Sequence, residues 1–311
     1  MTTPTFSDVN MHVVRPKEPV IGRVVESTPC LKGRSASYVR HVAIDVSGTP
    51  LAGSFRVGQS FGVVPPGENE KGKPHAVRLY SISAPTWGED GDGNVLSTTC
   101  KRLIDETESD DSEEHSLFLG VCSNYLCDCR VGDEVLVSGP AGKRFLLPDD
   151  PEKHDYVFVA TGTGIAPFRG MVMELLQHPD GPRNCEIHLV IGVPYGTDLM
   201  YDDFFSRMQD EHPGFHYHTV ISRPEVGRRM YVDQYIVETE DPFHEVLARD
   251  RTLLYVCGIE GMQIGIYKLL ERLGVAGGYV TTPEGMVSMA DADAAAMKKV
   301  RPGDRCMVEV Y

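Results

Sequence analysis

The residues with the most chemical potential lie in a short run, "VFVATGTGIAPFRGM", where Gly162 and Gly164 flank Thr163. Glycines spaced this way let a chain turn tightly with its N–H groups facing outward, unobstructed by a Cβ. Pro167 then falls near a first helical position, where a missing N–H costs nothing. A strand, a glycine turn and a helix in that order present free amides to an anion such as a pyrophosphate. The usual dinucleotide fingerprint is incomplete, however. Pro167 replaces its third glycine, and the second strand ends in "VIGVP" instead of an acidic residue for a ribose. A nicotinamide dinucleotide held by this turn must have its ribose read elsewhere. The stretch "VISRPEVGRRMYV" offers a place, with Ser222 and Arg223 directly after a strand and Arg229 and Tyr231 close behind. Two guanidinium groups and two hydroxyls supply the donors and charge that a ribose 2′-phosphate requires. Tyr231 can also stack on an adenine.

A second constellation sits in the first half. "RLYSIS" carries Arg78, Tyr80 and Ser81 on one strand. Period-2 alternation puts Arg78 and Tyr80 on one face and Ser81 on the other, unless the strand ends there. An arginine beside an aromatic suits a ligand with both a phosphate and a flat ring. In "GVCSNYLCD", Gly120 to Ser123 lead into a helix with exposed amides, a further phosphate site. Together these motifs describe two nucleotide ligands, one per half.

The elements that must position these groups change character along the chain. "YVRHVAIDV", "FGVVPP", "RLYSIS", "LSTTCKRLI" and "DEVLVSGP" predict short strands bounded by turn residues, which without long helices make an antiparallel barrel. The polar "LLPDDPEKHD" reads as a linker. Beyond it, "DYVFVAT", "CEIHLVIGV", "FHYHTVIS" and "TLLYVCG" predict strands that alternate with helices in "GTGIAPFRGMVMELLQ", "DDFFSRMQD" and "MQIGIYKLLERLG". That alternation predicts an open parallel sheet flanked by helices. The expected organisation is an N-terminal tail over 1–20, a barrel over 21–150 and an α/β domain over 151–311.

The 311 residues carry a formal net charge of -15, which disfavours nucleic acid and anionic membrane surfaces as partners. Part of the excess lies in "DETESDDSEEH", Asp105 to His115, expected as a solvated loop at a hairpin tip. No run approaches the ~18 apolar residues of a membrane span. "MTTPTFSDVNMHVVRPKEP" has no apolar core behind a basic start, so a cytoplasmic location is expected. Eight cysteines without such a signal are expected as free thiols. Cys122, Cys127 and Cys129 do not match the plant-type ferredoxin spacing, because the second gap is one residue short. No metal site is expected.

Six separated motifs, "RLYSIS", "GVCSNYLCD", "ATGTGIAPFRG", "ISR…RRMY", "YVCGIEGMQIGI" and the terminal "VEVY", resemble the plant-type ferredoxin–NADP⁺ reductase family in order and spacing. The resemblance covers essentially the whole chain after its first ~20 residues. It implies an FAD-binding antiparallel barrel followed by an NADP(H)-binding sheet domain, with the reaction where they meet. Arg78 would hold the FAD phosphates, Leu79 and Tyr80 would lie at the flavin with Tyr80 packed on its ring, and Ser81 would hydrogen-bond near N5. Gly120, Val121, Cys122 and Ser123 would cradle the FAD pyrophosphate, and Lys101 would help hold the cofactors. Gly162, Thr163, Gly164 and Pro194 would face the NADP pyrophosphate and its surroundings. Ser222, Arg223, Arg229 and Tyr231 would take the 2′-phosphoadenosine, and Gly258 and Met262 would border the same ligand. Cys257 would stand near the nicotinamide as a positioning thiol. Tyr311 would lie over the flavin face, swinging aside for hydride transfer, and Glu309 would link Ser81 to solvent as a proton path.

The chain departs from the family pattern at three places. Asp105 falls where plant members carry an adenine-stacking tyrosine, Glu260 stands where a basic residue is common, and Asp233 follows where an amide is often found. The resemblance implies exchange of electrons between NADP(H) and ferredoxin or flavodoxin. Two alternatives keep the same flavin. One is a reductase component serving an oxygenase or another acceptor. The other is a non-catalytic FAD relay subunit, which would not need the Ser222–Tyr231 cluster.

Overall fold

A computed structural model describes residues 3–33, 35–108, 115–239 and 242–311. The chain divides into two compact units, Val9–Lys143 and Arg144–Tyr311, the latter joined by the segment before Val9. Residues 109–114 of the acidic run lie outside the described residues.

The first unit contains β1 (Val20–Pro29), β2 (Val39–Asp45), β3 (Ser60–Val64), β4 (Arg78–Ser81), β5 (Val95–Lys101), β6 (Ile104–Glu108), β7 (His115–Leu119), α1 (Val121–Asp128) and β8 (Glu134–Ala141). Six strands form one antiparallel sheet in the order β4-β3-β8-β1-β2-β5. Its two edges are stitched where Ser83 N–H donates to Ser97 O (2.8 Å) and Thr98 Oγ1 to Ser81 O (2.8 Å). The sheet therefore curls on itself, as the short-strand pattern predicts, and leaves few free edge groups. Alternate side chains point inward: Val24, Val42, Ile44, Phe61, Val63, Leu96, Val135 and Val137 form the core. Burying each contributes about 1.5–3 kcal/mol. Strand β1 is not evident from sequence, because its "VIGRVVESTP" mixes charges and glycine with its valines. Within the segment expected as a tail, Val14 is buried, and its N–H donates to Gly139 O (2.9 Å).

The second unit contains β9 (Asp155–Thr161), α2 (Ala166–Leu176), β10 (Ile187–Val193), α3 (Asp202–Glu211), β11 (Phe215–Ile221), α4 (Val232–Glu238), α5 (Phe243–Ala248), β12 (Thr252–Gly258), α6 (Glu260–Arg272), β13 (Val280–Thr281), α7 (Ala294–Met297), β14 (Arg301–Pro302) and β15 (Cys306–Val310). Five strands make a parallel sheet ordered β11-β10-β9-β12-β15. β9 and β12 are apolar along their length because both faces are covered. Tyr156 and Phe158 face the aromatic layer of Phe168 and Tyr255, whereas Val157 and Val159 face the layer of α4 to α6. The chain runs outward from β9 to β11, then returns to β12. That reversal makes the carboxyl ends of β9 and β12 a topological switch point, the place where such sheets bind ligands. Among the described residues no helix is long and apolar enough to cross a membrane. All eight cysteines are free.

Candidate functional site

In the sheet unit, the groups singled out from sequence gather at the carboxyl ends of the parallel strands. Thr161 ends β9, Cys257 and Gly258 end β12, and Glu309 lies beside Cys257 on β15. A 3₁₀ turn, Gly162–Ile165, then feeds α2, with Pro167 in its first turn as expected. The first turn of α2 holds no acidic residue and its N-cap has no side-chain bond, so its positive end is left for a ligand.

The two glycines of this turn have different reasons. Gly162 takes a φ of +53° in open space, a conformation glycine adopts freely. A Cβ on Gly164 would lie 2.1 Å from the Cys257 carbonyl oxygen, so here glycine is demanded by close approach to β12. Gly258 has a φ of +144° and lies against Thr161. Thr161 Oγ1 accepts the Ile259 N–H (3.1 Å), fixing the ends of β9 and β12 together.

Tyr311 is anchored at both ends. Its N–H donates to Gly258 O (3.0 Å), and its hydroxyl bonds the Thr163 hydroxyl (2.7 Å). The residue is 69% exposed, yet enclosure of the hydroxyl end pushes its pKa up to about 12, opposed by the Thr163 bond. Cys257 is buried; burial first, and the Glu309 carboxylate second, push its thiol pKa well up. A neutral thiol of this kind is a packing and positioning group, since nucleophilic chemistry requires the thiolate. Met262 is buried in the first turn of α6, its N–H bonded to Ile259 O.

The candidate 2′-phosphate donors follow β11. Ser222 N–H donates to Val193 O (2.9 Å) and Arg223 N–H to Pro194 O (2.8 Å), which continues the β10–β11 ladder past its end. The Arg223 guanidinium lies 6.0 Å from the centre of the Tyr195 ring, and that of Arg229 4.8 Å from the Tyr231 ring. Stacking of this kind orders an arginine without consuming its N–H fork. Arg228, the third arginine of the run, pairs with Glu238. Tyr195 is a residue that sequence reading missed; its only signal was its place just after Pro194. Glu260 pairs with Lys298 (3.3 Å), and Asp233 packs against Gly265 of α6. The two carboxylates that depart from the family pattern are thus each engaged on α6 or beside it.

In the barrel unit, α1 begins at Gly120 with no acidic residue in its first turn and no side-chain cap. A Cβ on Gly120 would lie 2.8 Å from Leu103 Cβ and 2.7 Å from Ser123 Oγ, so this glycine too is imposed by packing. Ser123 Oγ accepts the Leu103 N–H and donates to Gly120 O, both at 3.2 Å, tying the helix start to the β5–β6 turn. Arg78 and Leu79 are exposed on β4. Tyr80 and Ser81 are half-buried. The Tyr80 hydroxyl meets the thiols of Cys100 and Cys122, and burial raises its pKa far above the ordinary phenol value. Burial raises the Cys122 thiol as well, while the Tyr80 bond and the Arg78 charge pull it down. The Arg78 guanidinium donates to the Val77 carbonyl just before its own strand (3.2 Å). Lys101 is exposed at the end of β5.

Asp105 lies opposite Phe118 in the β6–β7 ribbon, and the Phe118 ring is exposed. A flat ring is thus present across from the position where the aromatic of the family pattern is missing. Sequence reading could not find it, because the pairing register depends on the length of the hairpin loop. Ser81 belongs to the barrel unit, and Cys257, Glu309 and Tyr311 come together in the sheet unit.

An oxidoreductase NAD-binding domain profile matches residues 158–268. The chain is 36% identical over 277 residues to the ferredoxin–NADP reductase of Synechocystis sp., covering 87% of this chain and 65% of that protein. It thus spans somewhat less than two thirds of that relative. It is also 36% identical over 267 residues to the ferredoxin–NADP reductase of Spirulina sp., covering 84% of this chain and 88% of that protein. The structure of the Plasmodium falciparum ferredoxin–NADP⁺ reductase with 2′P-AMP matches with a TM-score of 0.70 at 22% identity, covering 99% of this chain and 100% of that one, a likeness of fold.

Proposed function

Because the chain belongs to the ferredoxin–NADP reductase family, we propose that it is an FAD-dependent oxidoreductase exchanging electrons between NADP(H) and a small one-electron carrier, ferredoxin or flavodoxin. One observation carries this reading: Thr163, Cys257, Gly258, Glu309 and Tyr311 converge at the carboxyl ends of β9, β12 and β15, beside an uncapped helix start. Bound FAD supplies the step between a two-electron nicotinamide and a one-electron carrier.

The residues of the barrel unit fit that group. Arg78 and the amides of Val121 to Ser123 hold its pyrophosphate, Lys101 adds positive charge, and Phe118 takes the adenine in place of an aromatic at 105. Leu79, Tyr80 and Ser81 border the ring, with Tyr80 fixed in orientation by the thiols beneath its hydroxyl. In the sheet unit, Gly162 to Gly164 and the start of α2 hold the NADP pyrophosphate. Ser222, Arg223, Arg229 and Tyr231 read the 2′-phosphate and adenine, while Pro194, Gly258 and Met262 shape the surrounding wall. Cys257 keeps its proton and fills space beside the nicotinamide. Glu309 holds or releases a proton at its carboxylate. The Tyr311 ring, pinned through Thr163, covers the place the nicotinamide must take and excludes water from it.

Anaerobic stopped-flow reduction of the purified protein with each coenzyme tests this. NADPH is expected to bleach a yellow protein far faster than NADH, and reoxidation with ferredoxin, flavodoxin or an oxygenase acceptor then identifies the carrier. A colourless protein, or a preference for NADH, overturns the reading.

A further inference from the structure

A separate group of ligating side chains occupies the opposite end of the parallel sheet, where β10 and β11 begin. Glu186 and His188 are two residues apart and so share one face of β10. His188 is in register with His216 of β11, and His218 follows two residues on, so all four side chains meet on that face. The His188 and His216 rings stack with centroids 4.5 Å apart and planes 25° apart. His188 Nε2 lies 2.9 Å from Glu186 Oε1. One ligand atom each from Glu186, His188 and His216 lies within 4.8 Å of the others. His188 is buried, whereas Glu186 and His216 are half-exposed, which leaves an entry from solvent.

We infer that Glu186, His188 and His216 form a binding site for a divalent transition metal ion of the zinc class, with water as fourth ligand. Two imidazoles and one carboxylate are a donor set that zinc takes readily. The groups behind these residues are arranged as metal ligands require. His188 Nδ1 faces His218 Nε2 at 3.3 Å, and His218 Nδ1 faces the Tyr235 hydroxyl at 3.0 Å. With His188 Nδ1 donating along this chain, its Nε2 carries a lone pair directed at Glu186. Two acceptors then face each other across 2.9 Å, a repulsion that a cation bound to both from the solvent side relieves. Arg249 binds the second Glu186 oxygen, Oε2, and also Asp155 Oδ2 at 3.3 Å, which orients Oε1 toward His188. Outer partners of this sort fix tautomer and ring orientation in metal sites. The site lies away from the strand ends proposed to bind the coenzyme, so its role is to clamp β10, β11 and, through Tyr235, α4. This inference does not depend on the electron-transfer reading.

The opposite proton arrangement defines the competing outcome. If Tyr235 donates to His218, His218 to His188 and His188 to Glu186, every group is satisfied and no ion is needed. Holoprotein stripped with a chelator and dialysed against zinc decides between them. One tightly held zinc per chain is expected, with a Tm raised by roughly 5 °C or more at a hundredfold excess over Kd. The X-ray absorption spectrum should show nitrogen and oxygen neighbours at about 2.0–2.1 Å and no sulfur at about 2.3 Å. Glu186→Gln and His216→Ala should each lose both the zinc and the Tm rise, while His244→Ala, at an exposed position on α5, keeps them. Glu186→Gln preserves volume, so it decides the matter if His216→Ala does not fold. Absence of stoichiometric zinc, sulfur ligation, or undiminished zinc in Glu186→Gln overturns the proposal.

Discussion

The barrel unit and the sheet unit share one feature suited to an anion, a helix start free of acidic residues and side-chain caps, but they surround it differently. In the barrel, the candidate cation, Arg78, belongs to β4, a strand far from α1 in sequence. In the sheet, the turn before α2 is braced by β12 and by Tyr311, and the arginines follow β11. A parallel sheet delivers every loop that leaves a strand's carboxyl end to one side, so candidate site residues cluster where strands finish. An antiparallel barrel has no such common end, and its site depends on the pairing register. The comparison teaches that Gly120 and Gly164 are imposed by neighbouring backbone and side chains, whereas Gly162 is required only by its left-handed backbone.

Substituting the glycines breaks or upholds that conclusion. In Gly164→Ala the new methyl would collide with the Cys257 carbonyl, a backbone atom that cannot swing away. A loss of about 3 kcal/mol or more is expected, seen as a large fall in Tm and loss of NADPH reduction. Gly162→Ala, two residues earlier, meets nothing within 4 Å and carries only the left-handed penalty of about 1–2 kcal/mol. Similar losses in both variants would show that the close approach to β12 is not what requires Gly164.

The rings that guard each unit sharpen the contrast. Tyr311→Ser removes the phenol bonded to Thr163 and would open the face that ring is proposed to cover. Discrimination between NADPH and NADH should weaken by about tenfold to a hundredfold, read from kcat/KM for each coenzyme, the equivalent of roughly 1–3 kcal/mol. The ratio staying as in the parent protein counts against the shielding role. In the barrel, Phe118→Ala should raise the Kd for FAD by a similar or smaller factor, since stacking on a base contributes about 1–3 kcal/mol. Equal FAD retention by Phe118→Ala would place the adenine elsewhere.

These differences explain what could be read from sequence. The turn at Gly162–Gly164 and the strands β9, β10, β11 and β12 were legible, because each is a local pattern and parallel topology brings the strand ends together without further information. β1 and the pairing of Phe118 with Asp105 were not, since both depend on long-range register that no short motif records. α4 and α5 are seven and six residues long and carry too few turns to show a helical period. The engagement of Arg228 by Glu238 was hidden too, because charge counting cannot tell a paired arginine from a waiting one.

Each unit also contains a carboxylate that pins a loop, and these give the smallest expected effects. Asp90 in the barrel accepts N–H groups of Asp92, Asn94 and Val95, which hold its pKa below the ordinary value although burial pushes the other way. Glu271 on α6 accepts the Met289 and Ala290 N–H groups and the Ser288 hydroxyl, each at 2.9 Å, and is likewise held down, chiefly by the two N–H bonds. A carboxylate with a depressed folded pKa stabilises above its unfolded value, and that contribution fades as pH falls through the folded one. Glu271→Gln keeps the shape but loses the charge, so it should cost about 1 kcal/mol at pH 7. The gap between variant and parent should close progressively as pH falls from the ordinary glutamate value of about 4.3 through the parent's depressed folded value. Denaturant melts at pH 7 and pH 3 measure this directly. A gap that persists at pH 3 would mean that the loop is held by packing of Met289, not by the charged acceptor beneath it.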